Sequence, residues 1–217
     1  MNILFVGNSY TIRNNLEKLF EQLCRENGKD VTADRVAVGG RKMIMFTNQE
    51  DPMTRQLQAV LEEKHYDLVF LQEQSLQPLL DFDAFANGMQ HVAKMVSIWN
   101  PRIMLYATWA RKVGSPDLET YGWTPEGMTK MLDEAYRKVA QMLGAEVSPT
   151  GLSFHKAIAL APDMELYDPD QYHPSYLGSC LVALTHYTAL FGTYPEHTES
   201  LALDERTCSV FRAAVCG

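Results

Sequence analysis

Asn2-Ile3-Leu4-Phe5-Val6, followed by Gly7-Asn8-Ser9-Tyr10-Thr11, is the stretch on which the fold turns. Residues 2–6 form a short, largely apolar run of the kind a buried strand shows. Gly7-Asn8-Ser9 breaks that run, and a helical pattern follows. A serine is thereby placed in the turn at the C-terminal end of a first strand, the edge where open α/β sheets bind ligands. Two roles are open to Ser9 on this reading: a helix cap or a nucleophile. A strand beginning at residue 2 also leaves almost no room for a leader sequence, so a cytoplasmic protein is expected.

Downstream, strand-like and helix-like stretches alternate. Residues 14–27 read as a helix, with Leu16, Leu19, Phe20 and Leu23 at helical spacing and Gly28 as its stop. Residues 31–38 alternate as a second strand that ends at Gly39-Gly40. A helix over 53–64 leads to a third strand, 66–71, which runs into Gln72-Glu73-Gln74-Ser75. A helix over 81–99 precedes a fourth strand, 102–107, which opens into Thr108-Trp109-Ala110-Arg111. Residues 112–123 carry Gly114, Pro116 and Gly122 and predict an excursion over the surface. Helices over 125–143, 151–160, 176–191 and 204–215, with a short strand at 145–147, complete the chain. The pattern predicts one α/β domain, residues 1–217, with helices on both faces of a parallel sheet of about five strands.

Composition narrows the function. The 217 residues are 46% hydrophobic and 21% charged, as in an ordinary globular protein. A net charge of −8 without any cluster of Lys and Arg argues against nucleic acid or an anionic membrane as partner. Arg41-Lys42 and Arg111-Lys112 are isolated basic pairs, expected on solvated surface. No apolar run reaches the length of a membrane span. Cys24, Cys180, Cys208 and Cys216 have no zinc-ligand spacing and read as reduced thiols. Met43, Met45, Met128 and Met131 read as packing. No phosphate loop, dinucleotide fingerprint or calcium loop is present, so neither cofactor nor metal is expected.

Parallel strands bring Ser9, Gly39, Gly40, Gln72, Gln74 and Trp109 to one sheet edge. Of the six histidines, His173 alone sits in a polar loop with acids just upstream. In Asp170-Gln171-Tyr172-His173 a carboxylate three residues before the ring can accept from Nδ1–H, leaving Nε2 free to take a serine proton. Taken alone, this spacing also suits a surface turn.

Together these blocks resemble the SGNH (GDSL-type) hydrolases, in a divergent bacterial-type branch. Gly7-Asn8-Ser9-Tyr10 matches the family's Gly-Asp-Ser-x block, and Gly39 or Gly40 its lone glycine after the second strand. Gln72-Glu73-Gln74-Ser75 stands where the family has Gly-x-Asn-Asp, and Asp170 to His173 matches Asp-x-x-His. Asn8 and the third block depart from the pattern. The resemblance implies a three-layer α/β/α sandwich with strand order 2-1-3-4-5, and a metal-independent esterase acting on a small-molecule ester. It implies Ser9 as nucleophile, His173 as base and Asp170 as orienting acid. The oxyanion would be held by the Ser9 and Gly40 N–H groups and by Gln74, with Gln72 as fallback. Asn8, Gly39, Gln72 and Trp109 are expected around the substrate, and Arg111 on the solvated surface.

Overall fold

Ile3 and Phe5 face one side of β1 (Asn2–Gly7), Leu4 and Val6 the other, and all four are fully buried. A strand of this kind needs cover on both faces, and the computed structural model, which describes residues 1–217, supplies it. β1 is central, paired in parallel with β2 (Thr32–Ala37) and β3 (Leu68–Leu71). β4 (Arg102–Tyr106) and β5 (Glu146–Ser148) extend the sheet to the order β2-β1-β3-β4-β5. This is the α/β sandwich expected.

Ten α-helices cover the sheet. They are α1 (Ser9–Ile12), α2 (Leu16–Glu26), α3 (Pro52–Glu63), α4 (Gln77–Leu80), α5 (Phe82–Val96), α6 (Pro116–Tyr121), α7 (Pro125–Leu143), α8 (Thr150–Leu160), α9 (Tyr176–Phe191) and α10 (Glu205–Cys216). Phe20 of α2, Leu181 and Leu184 of α9, Phe154 of α8 and Phe211 of α10 share a core with Ile3, Phe5 and Phe70. Leu57 of α3, Phe85 and Met89 of α5, and Leu132 and Tyr136 of α7 share the other with Leu4, Val6 and Val69. No helix is long and apolar enough to cross a membrane.

Several segments differ from the pattern read in the sequence, among them α4, which fills 77–80 ahead of the expected helix over 81–99. The helix expected over 14–27 begins at Ser9, breaks at Asn14 and Asn15, which both hold positive φ, and resumes at Leu16. Asn14 Nδ2 donates to the Ser175 carbonyl at 3.1 Å and to Ser179 Oγ at 2.8 Å, and these distant partners hold the break. Residues 112–123 enclose α6, started by Pro116 and stopped by Gly122 at φ 65. Met43–Thr47 forms a 3-10 turn that buries Met43 and Phe46 against α5. All four cysteines are free thiols; Cys24 and Cys180 are buried, whereas Cys216 is exposed. Met45 is exposed, not packed.

Candidate active site

At the end of β1 the chain must turn tightly beneath a crowded loop. A Cβ at Gly7 would lie 2.4 Å from Thr11 Oγ1 and 2.7 Å from Gln72 Oε1, so only glycine fits. Asn8 then caps α1, its Oδ1 accepting from the Tyr10 N–H at 3.2 Å. Its Nδ2 donates to the Arg41 carbonyl at 3.0 Å, and its own N–H donates to Gln72 Oε1 at 3.0 Å. Ser9 follows as the first residue of α1, where a backbone N–H has no partner inside the helix.

His173 Nε2 lies 2.7 Å from Ser9 Oγ, and His173 Nδ1 lies 2.6 Å from Asp170 Oδ2. Asp170 Oδ1 accepts the main-chain N–H groups of Tyr172, at 3.1 Å, and His173, at 2.9 Å, so the carboxylate orders the loop that it serves. Burial works to raise the Asp170 pKa, but the hydrogen bonds from the His173 ring and these two N–H groups outweigh it and hold the carboxyl below its usual range. Arg13 adds positive charge, 3.2 Å from Asp168 and 3.9 Å from Asp170. The loop is closed by a bridge between Tyr167 and Pro174 and by Gln171 in the left-handed region at φ 69. Tyr10 packs edge-on against the His173 ring, with ring centres 5.5 Å apart.

The cavity over Ser9 has a volume of about 270 Å³ and is walled by Asn8, Tyr10, Gly39, Gly40, Gln74, Ser75, Tyr172 and His173. Ser9 N–H, Gly40 N–H and Gln74 Nε2 donate to no other group of the protein. Gly40 holds φ +71. Gln74 Oε1 accepts from the Leu76 and Gln77 N–H groups, at 2.9 and 3.0 Å, which fixes the amide while leaving its NH₂ unclaimed. No group of three or more His, Cys, Asp or Glu side chains is placed to hold a metal ion.

Solved structures match this chain over most of its length. A candidate SGNH hydrolase from Slackia heliotrinireducens is 27% identical; the match covers 88% of this chain and 98% of that one, with a TM-score of 0.77. The chain has the SGNH-hydrolase fold. A DUF4886 family protein from Bacteroides uniformis matches with a TM-score of 0.81 at 17% identity, over 99% of this chain and 93% of its own. The acetyl xylan esterase AlAXEase matches with a TM-score of 0.63 at 17% identity, over 88% and 100%. No family model and no curated protein sequence matches.

Within the SGNH frame the departures have physical explanations. Asn8 in place of Asp supplies an N–H donor to the Arg41 carbonyl, which a carboxylate cannot do. Gln72, expected at the substrate or as fallback oxyanion donor, is instead buried below the turn. Its Oε1 accepts from Asn8 N–H and Thr11 Oγ1, both at 3.0 Å, and its Nε2 donates to the Glu73 carbonyl. Trp109, expected as a pocket wall, is fully buried and stacked between Tyr10 and Phe154, with ring centres at 4.5 and 4.1 Å. It meets the site from behind, through Tyr10 and through Nε1, which donates to the Tyr172 carbonyl at 3.0 Å. Arg111, expected in solvent, is buried as well: Nε pairs with Asp117 at 2.6 Å and Nη1 donates to the Tyr10 hydroxyl at 2.8 Å. Arg41 is likewise buried, paired with Asp51 at 2.8 Å. A second cavity, about 280 Å³, lies beyond Arg111 against Phe154 and Ile158 and includes none of Ser9, Asp170 and His173.

Proposed function

We propose that the protein is a serine esterase in which Ser9 is the nucleophile, His173 the base and Asp170 the orienting acid. The observation that carries this is the unbroken hydrogen-bonded order Ser9 Oγ, His173 Nε2, His173 Nδ1, Asp170 Oδ2, at 2.7 and 2.6 Å. With Nδ1–H held on Asp170, Nε2 presents its lone pair to the serine hydroxyl. Ser9 Oγ attacks the ester carbonyl carbon as its proton passes to Nε2. The carbonyl oxygen gains charge and is met by Ser9 N–H, Gly40 N–H and Gln74 Nε2. Collapse expels the alcohol, which takes the proton from Nε2 and leaves an acyl group on Ser9. Water, deprotonated by the same nitrogen, then releases the acid.

The substrate on this reading is a short acyl ester, acetate foremost, on a hydroxyl-rich alcohol such as a carbohydrate. A cavity of about 270 Å³ lined by Asn8, Gln74 and Ser75 favours a small acyl group and a polar alcohol. The match to an acetyl xylan esterase points the same way. Ser9→Ala should lower kcat on 4-nitrophenyl acetate by on the order of 10⁴ to 10⁶. A fluorophosphonate should add its mass to Ser9 of the parent protein, and the octanoate should turn over more slowly than the acetate. Undiminished hydrolysis by purified Ser9→Ala protein would overturn the assignment.

A further inference from the structure

Gln72, Glu73 and Gln74 follow one another after β3, and their side chains go to three places. Gln72 reaches back to the Asn8 turn, and Gln74 lines the cavity over Ser9. Glu73 lies between them, fully buried. Its Oε1 accepts the Met43 N–H at 3.0 Å and its own neighbour's N–H, that of Gln74, at 2.6 Å. Oε2 accepts the Met43 N–H again at 3.2 Å. Met43 begins the 3-10 turn that closes the Gly39-Gly40 loop. One carboxylate therefore ties the segment carrying the Gly40 N–H to the residue carrying the Gln74 amide. We propose that Glu73 is a positioning residue that sets the separation of the two chain segments supplying oxyanion donors to Ser9. This rests on the serine-esterase reading.

Glu73 is a poor choice if stability alone were at stake. Burial pushes its carboxyl up to about 7, against the two N–H groups and the charge of Lys42, which favour the ionised form. An apolar side chain would fill the space without that penalty, but would leave two buried main-chain N–H groups without an acceptor. A carboxylate oxygen is what serves both N–H groups at once. Length matters too, because Asp at this position is one methylene short of Met43. Gln retains an oxygen at the place of Oε1.

The test compares Glu73→Asp, Glu73→Ala and Glu73→Gln in the full chain, with Ser9→Ala beside them. Kinetics on 4-nitrophenyl acetate are read as kcat and KM separately. Positioning of oxyanion donors acts in the transition state, so Asp and Ala should lower kcat by roughly 10- to 100-fold with KM little changed. Gln should restore kcat to within a few-fold of the parent. Amide hydrogen exchange at Met43 and Gln74 should quicken in the Ala and Asp variants and return towards the parent rate in the Gln variant. If Glu73→Ala folds and keeps the parent's kcat, the proposal is overturned while Ser9-dependent hydrolysis stands. If kcat falls equally in the Gln and Ala variants although exchange recovers in Gln, positioning is also overturned. A parent protein whose hydrolysis survives Ser9→Ala overturns the serine-esterase reading itself, and this proposal with it.

Discussion

Asp170 orders its own loop through Oδ1 and meets the His173 ring through Oδ2, so its two oxygens separate structure from proposed chemistry. Asp170→Asn would keep the Oδ1 contacts but turn an NH₂ toward Nδ1. The ring would then carry its proton on Nε2 and have no lone pair for Ser9. We expect kcat to fall by on the order of 10⁴ with the fold intact, as steady-state kinetics and circular dichroism would show; a loss below tenfold would remove Asp170 from the orienting role. Ser9, Asp170 and His173 were legible as candidates because a turn serine and an Asp-x-x-His loop are local patterns. The buried positions of Arg111 and Trp109 were not. Their surroundings come from tertiary packing: Tyr10 and Phe154 sandwich the indole, while Asp117 and Tyr10 make burial of the guanidinium tolerable. No spacing rule relates those positions.

Among the elements, the strands and long helices follow hydropathy closely, and the segments that escaped are those whose shape is imposed from elsewhere. The 3-10 turn at Met43–Thr47 is one. It sits against α5 at Gly88, where a Cβ would lie 2.3 Å from Ile44 N and 2.7 Å from the Met43 main-chain carbon. Within the sequence Gly88 is only a weak spot in an otherwise good helix. Its purpose is the close backbone approach. Gly88→Ala should therefore destabilise the protein by about 1–3 kcal/mol through overpacking, despite the better helix propensity of alanine. It should also move the 43–47 turn and, through Glu73, the Gly40 segment. Urea denaturation would give the first effect, and a lowered kcat the second. A variant more stable than the parent would mean that the turn yields without cost.

For the whole molecule, one of the two cores carries a histidine ring in its interior. His186 of α9 is fully buried among Phe5, Phe20, Phe70 and Tyr106, with Nδ1 2.7 Å from Ser148 Oγ on β5. Nε2 has no hydrogen-bond partner. The hydropathy of α9 shows that this helix is buried, but not that the ring meets Ser148 of β5. Burial disfavours the imidazolium and lowers the pKa to about 3. An unfolded chain takes up a proton near the ordinary histidine value of about 6.5, whereas the folded chain does not, so the folded state loses ground as pH falls from there. The contribution is fully present above that value and declines toward pH 3. His186→Leu removes this titration and leaves the Ser148 hydroxyl unpaired, a cost that does not change with pH. Between pH 6 and 4 the variant's stability should therefore decline less steeply than the parent's, by about 1.4 kcal/mol per pH unit. Glu73 acts with the opposite sign, since its raised pKa makes stability fall as pH rises toward 7, but it is common to both proteins and cancels in the comparison. Urea titrations of parent and variant across this range would read the difference directly, and parallel pH profiles would mean that His186 becomes charged without unfolding.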